Sequence, residues 1–213
     1  MRILYLDTSS SFLYCAYIVD GKIVFSINKE YERDLSKYSL FEVQQNFKEN
    51  NIKPTEIDKI ILVNGPGSFT GVRIGITIAK TMAWSLSIPI IVISSLKAMA
   101  MSSSKNVDFY VPIIDARRNC CYCAIYDSNF SPVLKEQYVS LDTLMVALEK
   151  LGGNYVIISN DDYEFEHDLY SPNFLNIVNL VRDYPVEENI HSIAANYLKA
   201  TEAEEKLNDN VSQ

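Results

Sequence analysis

No stretch of this 213-residue chain approaches the roughly 20 consecutive apolar residues that cross a bilayer. The start, Met1-Arg2-Ile3-Leu4-Tyr5-Leu6-Asp7, lacks the long apolar core and small-residue cleavage site of a secretory signal. Both absences point to the cytoplasm. Basic residues are outnumbered: 19 Lys and Arg face 27 Asp and Glu, for a formal net charge of -8, and no basic cluster exists beyond Arg117-Arg118. A chain that grips nucleic acid unaided carries a basic patch. Autonomous tRNA or DNA binding is therefore not expected, and a partner would have to supply the positive surface. Cysteines are few and poorly spaced for a framework. Cys15 stands alone, while Cys120, Cys121 and Cys123 crowd one short segment. Strand neighbours point to opposite faces and make no easy disulfide. Zinc ligands come as C-x2-C pairs with a second pair elsewhere, which is missing. Buried strand cysteines are expected, with no metal and no cofactor.

What is present is ordinary for a folded chain, with 48% hydrophobic and 22% charged residues. Apolar runs at Arg2–Asp7, Phe12–Val19 and Ile23–Ile27 predict three strands, with a hairpin at Asp20-Gly21. A helix is predicted over Lys37–Asn50, capped by Ser36 or Ser39, with Leu40, Phe41, Val43 and Phe47 as its apolar positions. A buried strand Lys59–Val63 leads into a glycine-rich loop and a helix to about Ser87; a strand Ile88–Ile93 and a short helix Ser95–Met101 follow. After a linker at Ser102–Asn106 the pattern restarts. Strands are predicted at Phe109–Ile114, Cys120–Tyr126 and Val133–Val139, a helix at Leu141–Leu151 closed by Gly152-Gly153, and a strand at Tyr155–Ser159. Helices are predicted at Asn173–Arg182 and Glu188–Thr201, followed by an acidic tail. This reads as an α/β protein of two duplicated βββαβα-type lobes, residues 1–102 and 107–213, the second degenerate.

The loop Gly65-Pro66-Gly67-Ser68-Phe69-Thr70-Gly71 joins a buried strand to a helix. A helix start offers unpaired N–H groups and the positive end of the macrodipole to an anion, and glycine allows close approach. A nucleotide cleft with Asp7-Thr8-Ser9 beside the loop fits this pattern; so does a tight turn with no ligand. The loop matches neither the G-x-x-x-x-G-K-[ST] nor the G-x-G-x-x-G phosphate signature. In the helix that follows, Gly71, Gly75, Ala79 and Ala83 recur every four residues, with Ile74, Ile78, Met82 and Leu86 alongside. Two helix-interior glycines cost roughly 0.5–1 kcal/mol each, tolerable where another backbone comes close. That backbone is the chain's own sheet, or a second chain that Tyr38, Leu40 and Phe41 would also touch.

The run Gly65 to Gly75, GPGSFTGVRIG, resembles the hallmark of the TsaB family, the dimerisation subunits of bacterial tRNA threonylcarbamoyladenosine machinery. Ile3–Ser9, Asp115-Ala116-Arg117-Arg118 and, more weakly, Asn196-Tyr197-Leu198-Lys199 are similar to other family segments, so the resemblance spans residues 1 to about 200. It implies an actin-like ATPase fold of the Hsp70 and hexokinase type. It also implies pairing with the catalytic relative TsaD, cooperation with the ATPase TsaE, homodimers through the N-terminal helices in isolation, and tRNA contact only through the complex. On that resemblance Asp7, Thr8, Ser9, Gly65, Gly67, Ser68, Thr70 and Arg73 are vestigial nucleotide-loop residues. Tyr38, Leu40, Phe41, Gly71, Ile74, Gly75, Ile78, Ala79 and Met82 are the expected partner interface. The family's usual Glu after the Asp-Ala-Arg run is replaced by Cys120, and the C-terminal Arg by Lys199.

No catalytic residue is expected. The catalytic relatives carry an H-x-x-x-H metal pair on the short helix that here reads Ser95-Leu96-Lys97-Ala98-Met99-Ala100-Met101. A second nucleotide loop is also missing: the duplicated strand runs into Asn160-Asp161-Asp162-Tyr163-Glu164-Phe165-Glu166-His167-Asp168. Its five carboxylates would repel a triphosphate unless a cation intervened; an ordinary solvated loop is the other reading. The alternative is an independent nucleotide-binding ATPase or a peptidase-like enzyme, with Ser68 or Ser95 as nucleophile and His167 or His191 as base.

Overall fold

A computed structural model of the chain describes residues 1–31 and 34–199. Two five-stranded sheets repeat one topology. The first runs β3(Lys22–Glu30), β2(Phe12–Val19), β1(Arg2–Asp7), β4(Lys59–Val63), β5(Ile90–Ile93) from edge to edge. The second runs β8(Pro132–Ser140), β7(Cys120–Asp127), β6(Phe109–Asp115), β9(Tyr155–Ser159), β10(Asp168–Leu169) in the corresponding order. In each, the first three strands are antiparallel and the last two join in parallel. This duplicated mixed sheet is the actin-like ATPase architecture.

Helices follow from which faces need covering. The helix α1(Leu35–Glu49) turns Leu35, Ser39, Val43 and Phe47 inward, one residue per turn. The helix α2(Phe69–Leu86) buries Gly71, Val72, Gly75, Ile76, Ala79 and Ala83. Together they cover the outer face of the first sheet. The short helices α3(Ser95–Ser102) and α5(Phe174–Val181) lie between the lobes. Here α5 seats Phe174, Ile177, Val178 and Val181 against Ile3, Tyr5 and Ile61, while Leu96, Met99 and Ala100 of α3 meet Tyr110, Ala124 and Val156 of the second sheet. Helix α4(Leu141–Glu149) covers the far face of the second sheet with Leu144 and Leu148, above Cys121 and Cys123. All four cysteines are free.

Among the described residues the second lobe has no counterpart of α2. Between β9 and β10, where the first lobe inserts its glycine loop and an 18-residue helix, the second has only residues 160–167. Tyr163 and Phe165 turn inward, stack with ring centroids 4.8 Å apart, and pack against the same core as α4. Asp162, Glu164 and Glu166 alternate outward. Two aromatic side chains thus take the place of a helix.

Several expectations need correction. Ser39 does not cap α1; its hydroxyl donates back to the Leu35 carbonyl, 2.5 Å, and Asp34 occupies the cap position. Leu40 and Phe41 are exposed and lie off the inward stripe. Helix α4 ends at Glu149, before the glycine pair. The expected helix over Glu188–Thr201 is a single 3-10 turn at Ile190–Ser192 followed by irregular chain to Lys199; Thr201 and the acidic tail lie outside the described residues. Tertiary partners win over helical hydrogen bonds here: the His191, Ile193 and Ala194 carbonyls accept from Lys80 and Asn64 side chains. The assignment of residues 107–213 to the second lobe is also too simple. Both α5 and Ile190, Ile193 and Ala195 pack on the first lobe.

Candidate functional site

Strands β1, β4, β6 and β9 point their carboxyl ends at one cleft of about 570 Å³ between the lobes, the usual place for a ligand beside parallel strands. Asp7, Ser9, Gly67, Ser68 and Thr70 line it from the first lobe, and Asp115, Arg117, Asn160 and Asp161 from the second. Both β1 and β6 end in an Asp whose carboxylate accepts the N–H two residues on: Ser9 to Asp7 at 2.8 Å and Arg117 to Asp115 at 2.9 Å. The environments differ. Asp7 is 2% exposed, and burial pushes its carboxyl up to about 6 against the downward pull of the Ser9 N–H. Asp115 is exposed, and its own N–H donates to Asp161 at 2.7 Å. Glu30 adds a fourth carboxylate, and Arg117 is the one cationic side chain among these lining residues. The cleft therefore carries more negative than positive side chains.

The glycine loop packs against the chain's own β1–β2 turn. A Cβ on Gly67 would stand 2.1 Å from the Ser9 carbonyl oxygen, one on Gly71 2.1 Å from the Thr8 carbonyl oxygen, and one on Gly75 2.5 Å from Thr8 Oγ1. The approach that glycine permits is taken by the chain's own β1–β2 turn. Two N–H groups at the helix start are engaged within the chain. The Ser68 N–H donates to the Ser9 carbonyl at 2.7 Å, the Ser68 hydroxyl accepts from the Gly71 N–H at 3.2 Å, and the Thr8 hydroxyl donates to the Gly71 carbonyl at 2.7 Å. Thr8 and Gly65 lie buried beneath the loop. Arg73, expected among the nucleotide-loop residues, is absent from the cleft. Its guanidinium lies 3.6 Å from the centre of the Phe69 ring on the outer face of α2, and its Nε donates to the Tyr197 hydroxyl at 2.9 Å.

The small-residue stripe is inward too. Gly71, Gly75 and Ala79 are buried against the first sheet, so the close backbone the sequence asks for is the chain's own. What α1 and α2 present outward are Leu40 and Phe41, 55% and 50% exposed, with Ile74, Ile78 and Met82 half-buried along the flank and Tyr38 stacked on Tyr31. Phe69 and Trp84, not anticipated from sequence, are exposed on α2, at 53% and 69%. A groove of about 650 Å³ runs between the two helices, lined by Leu40, Val43, Phe47, Met82 and Leu86.

Helix α3 buries Leu96, Ala98, Met99, Ala100 and Met101. The Ser95 hydroxyl donates to the Pro66 carbonyl. His191 is exposed on residues 190–192, and the His167 ring packs edge-on to Tyr163 and Phe165; neither lines the cleft with Ser68 and Ser95. Among the described residues no three of His, Cys, Asp or Glu stand close enough to hold one metal ion, and no described helix is long and apolar enough to cross a membrane.

The family model described as "TsaD: tRNA N6-adenosine threonylcarbamoyltransferase" matches residues 29–207. The tRNA threonylcarbamoyladenosine biosynthesis protein TsaB of Bacillus subtilis is 29% identical over 97% of this chain and 97% of its own length. The Escherichia coli protein of the same name is 29% identical over 74% of this chain and 71% of its own. A Pseudomonas aeruginosa structure described as similar to peptidase YEAZ superposes with a TM-score of 0.77 at 21% identity, over 93% of this chain and 99% of that one.

Proposed function

The chain belongs to the tRNA N6-adenosine threonylcarbamoyltransferase (TsaD) family, and from that premise we propose that it serves tRNA threonylcarbamoyladenosine biosynthesis as a non-catalytic scaffold subunit in the cytoplasm. It pairs with the catalytic subunit TsaD and works with the ATPase TsaE. In isolation it forms a homodimer, and it meets tRNA only within the complex. The partners transfer threonylcarbamoyl from its adenylate to the adenosine beside the anticodon.

One observation carries the non-catalytic part of this reading: the Cβ positions of Gly67 and Gly71 are filled by the chain's own Ser9 and Thr8 carbonyl oxygens. Packing within the chain thus accounts for both glycines with no ligand. The acidic cleft and the apolar α3, which offers no metal ligand, support the same view. The outward side chains of α1 and α2 support partner docking, because exposed aromatic and aliphatic side chains gathered on one face mark association surfaces. Leu40, Phe41, Ile74, Ile78 and Met82 are the proposed contacts, joined by Phe69 and Trp84. Gly71, Gly75 and Ala79 act by shaping the helix from beneath.

The test is reconstitution. Purified TsaD and TsaE with tRNA, ATP, threonine and a source of the adenylate regain full modification when this chain is added, and the chain alone modifies nothing. Leu40→Asp with Phe41→Asp keeps the melting temperature within a few degrees, yet lowers complex formation by tenfold or more in light scattering. ATP turnover by the isolated chain, abolished by Asp7→Asn, would overturn the scaffold reading.

A further inference from the structure

Residues 190–199 cross from the outer face of α2, over the glycine loop, to strand β8, and we propose that they form a strap locking the two lobes in one disposition, with Glu136 and Asn196 as its clasp. The near end is fastened to the first lobe. Lys80 Nζ donates to the His191 and Ile193 carbonyls at 2.9 and 3.2 Å. Asn64 Nδ2 donates to the Ala194 carbonyl at 3.0 Å, and the Asn196 N–H returns a bond to the Asn64 carbonyl at 2.8 Å. Ile193 is buried in the first-lobe core.

The far end is fastened to the second lobe. Asn196 Nδ2 donates to Glu136 Oε2 at 2.9 Å. The other oxygen of that carboxylate accepts from the Tyr126 hydroxyl at 2.7 Å and from the hydroxyl of Ser94, the residue that caps α3. Leu198 packs among the α3 and second-sheet residues, and the Lys199 ammonium lies 4.9 Å from the centre of the Tyr138 ring. One half-buried carboxylate on β8 thus collects donors from the strap, from its own sheet and from the start of the interlobe helix. Charge-assisted bonds of this kind are the stronger ones. Two-lobed enzymes that turn over a ligand open and close such a cleft by a hinge; the strap opposes that motion. The inference stands on the geometry of the isolated chain and is independent of the scaffold reading.

Second-site rescue tests it, with hydrogen exchange of the full chain as readout. Asn196→Asp sets two carboxylates against each other. Exchange should rise tenfold or more not only in residues 194–198 but also in the first turn of α3 and in β8 around Glu136. Adding Glu136→Gln supplies an amide donor to the new aspartate, restoring the clasp with reversed polarity, and exchange in both lobes should return to within about threefold of the parent. The milder Asn196→Ala removes a single donor and should raise exchange about threefold in the same three segments. This second variant keeps the test intact should Asn196→Asp fail to fold. Loosening confined to residues 194–198, or a double variant no tighter than Asn196→Asp alone, would overturn the proposal.

Discussion

The two lobes begin alike and end differently. Each threads three antiparallel strands, a helix and a parallel strand in the same order, and each closes its first strand with an aspartate that accepts the N–H two residues ahead. After the parallel strand they part. The first lobe inserts a glycine loop and α2, whose start settles onto the β1–β2 turn, and its Asp7 is buried. The second inserts eight residues, fills the gap with Tyr163 and Phe165, and leaves Asp115 in solvent. The corresponding strand-end carboxylate is thus a core residue in one lobe and a surface residue in the other.

Glycine substitution tests this contrast most severely. Gly71→Ala forces a methyl against the Thr8 backbone and should cost roughly 4 kcal/mol or more, a fall in melting temperature of about 10 °C or more. Gly152→Ala in the second lobe meets open space and should change stability by within about 1 kcal/mol. Thermal melts of both variants compare the lobes directly; equal losses would break the contrast.

The aspartate pair comes next in size. Because burial raises the Asp7 carboxyl to about 6, the folded chain holds a proton between about pH 4 and 6 that the unfolded chain releases. Stability is therefore lost as pH rises through that window, and the full penalty applies above it. Asp7→Asn should abolish this slope and add up to about 3 kcal/mol at pH 7.5. Asp115→Asn, on an exposed side chain, should shift stability at pH 7 by within about 0.5 kcal/mol. Denaturation series for parent and variants across pH 4–8 check both.

Much of this architecture was legible in sequence, because strand–helix alternation and the repeated Asp-terminated strands carry topology in local pattern. The glycine stripe was legible as a demand for close approach, but not for which partner. Only the fold brings Thr8 and Ser9 against α2, and that contact spans some sixty residues of chain. The helix expected over Glu188–Thr201 failed for a related reason: distant side chains claim its carbonyls. Glu136 gave no signal at all, being one charge in an alternating strand. Asn196 and Tyr197 did carry one, in the C-terminal segment similar to the TsaB family, though their contacts with Glu136 and Arg73 belong to tertiary structure.

Calorimetric titration of the isolated chain with magnesium ATP asks most directly whether the first lobe's glycine loop is filled by its own backbone. With the Gly67 and Gly71 surroundings occupied by Ser9 and Thr8, no binding heat is expected up to millimolar nucleotide. Stoichiometric micromolar binding that disappears on Ser68→Ala would contradict it.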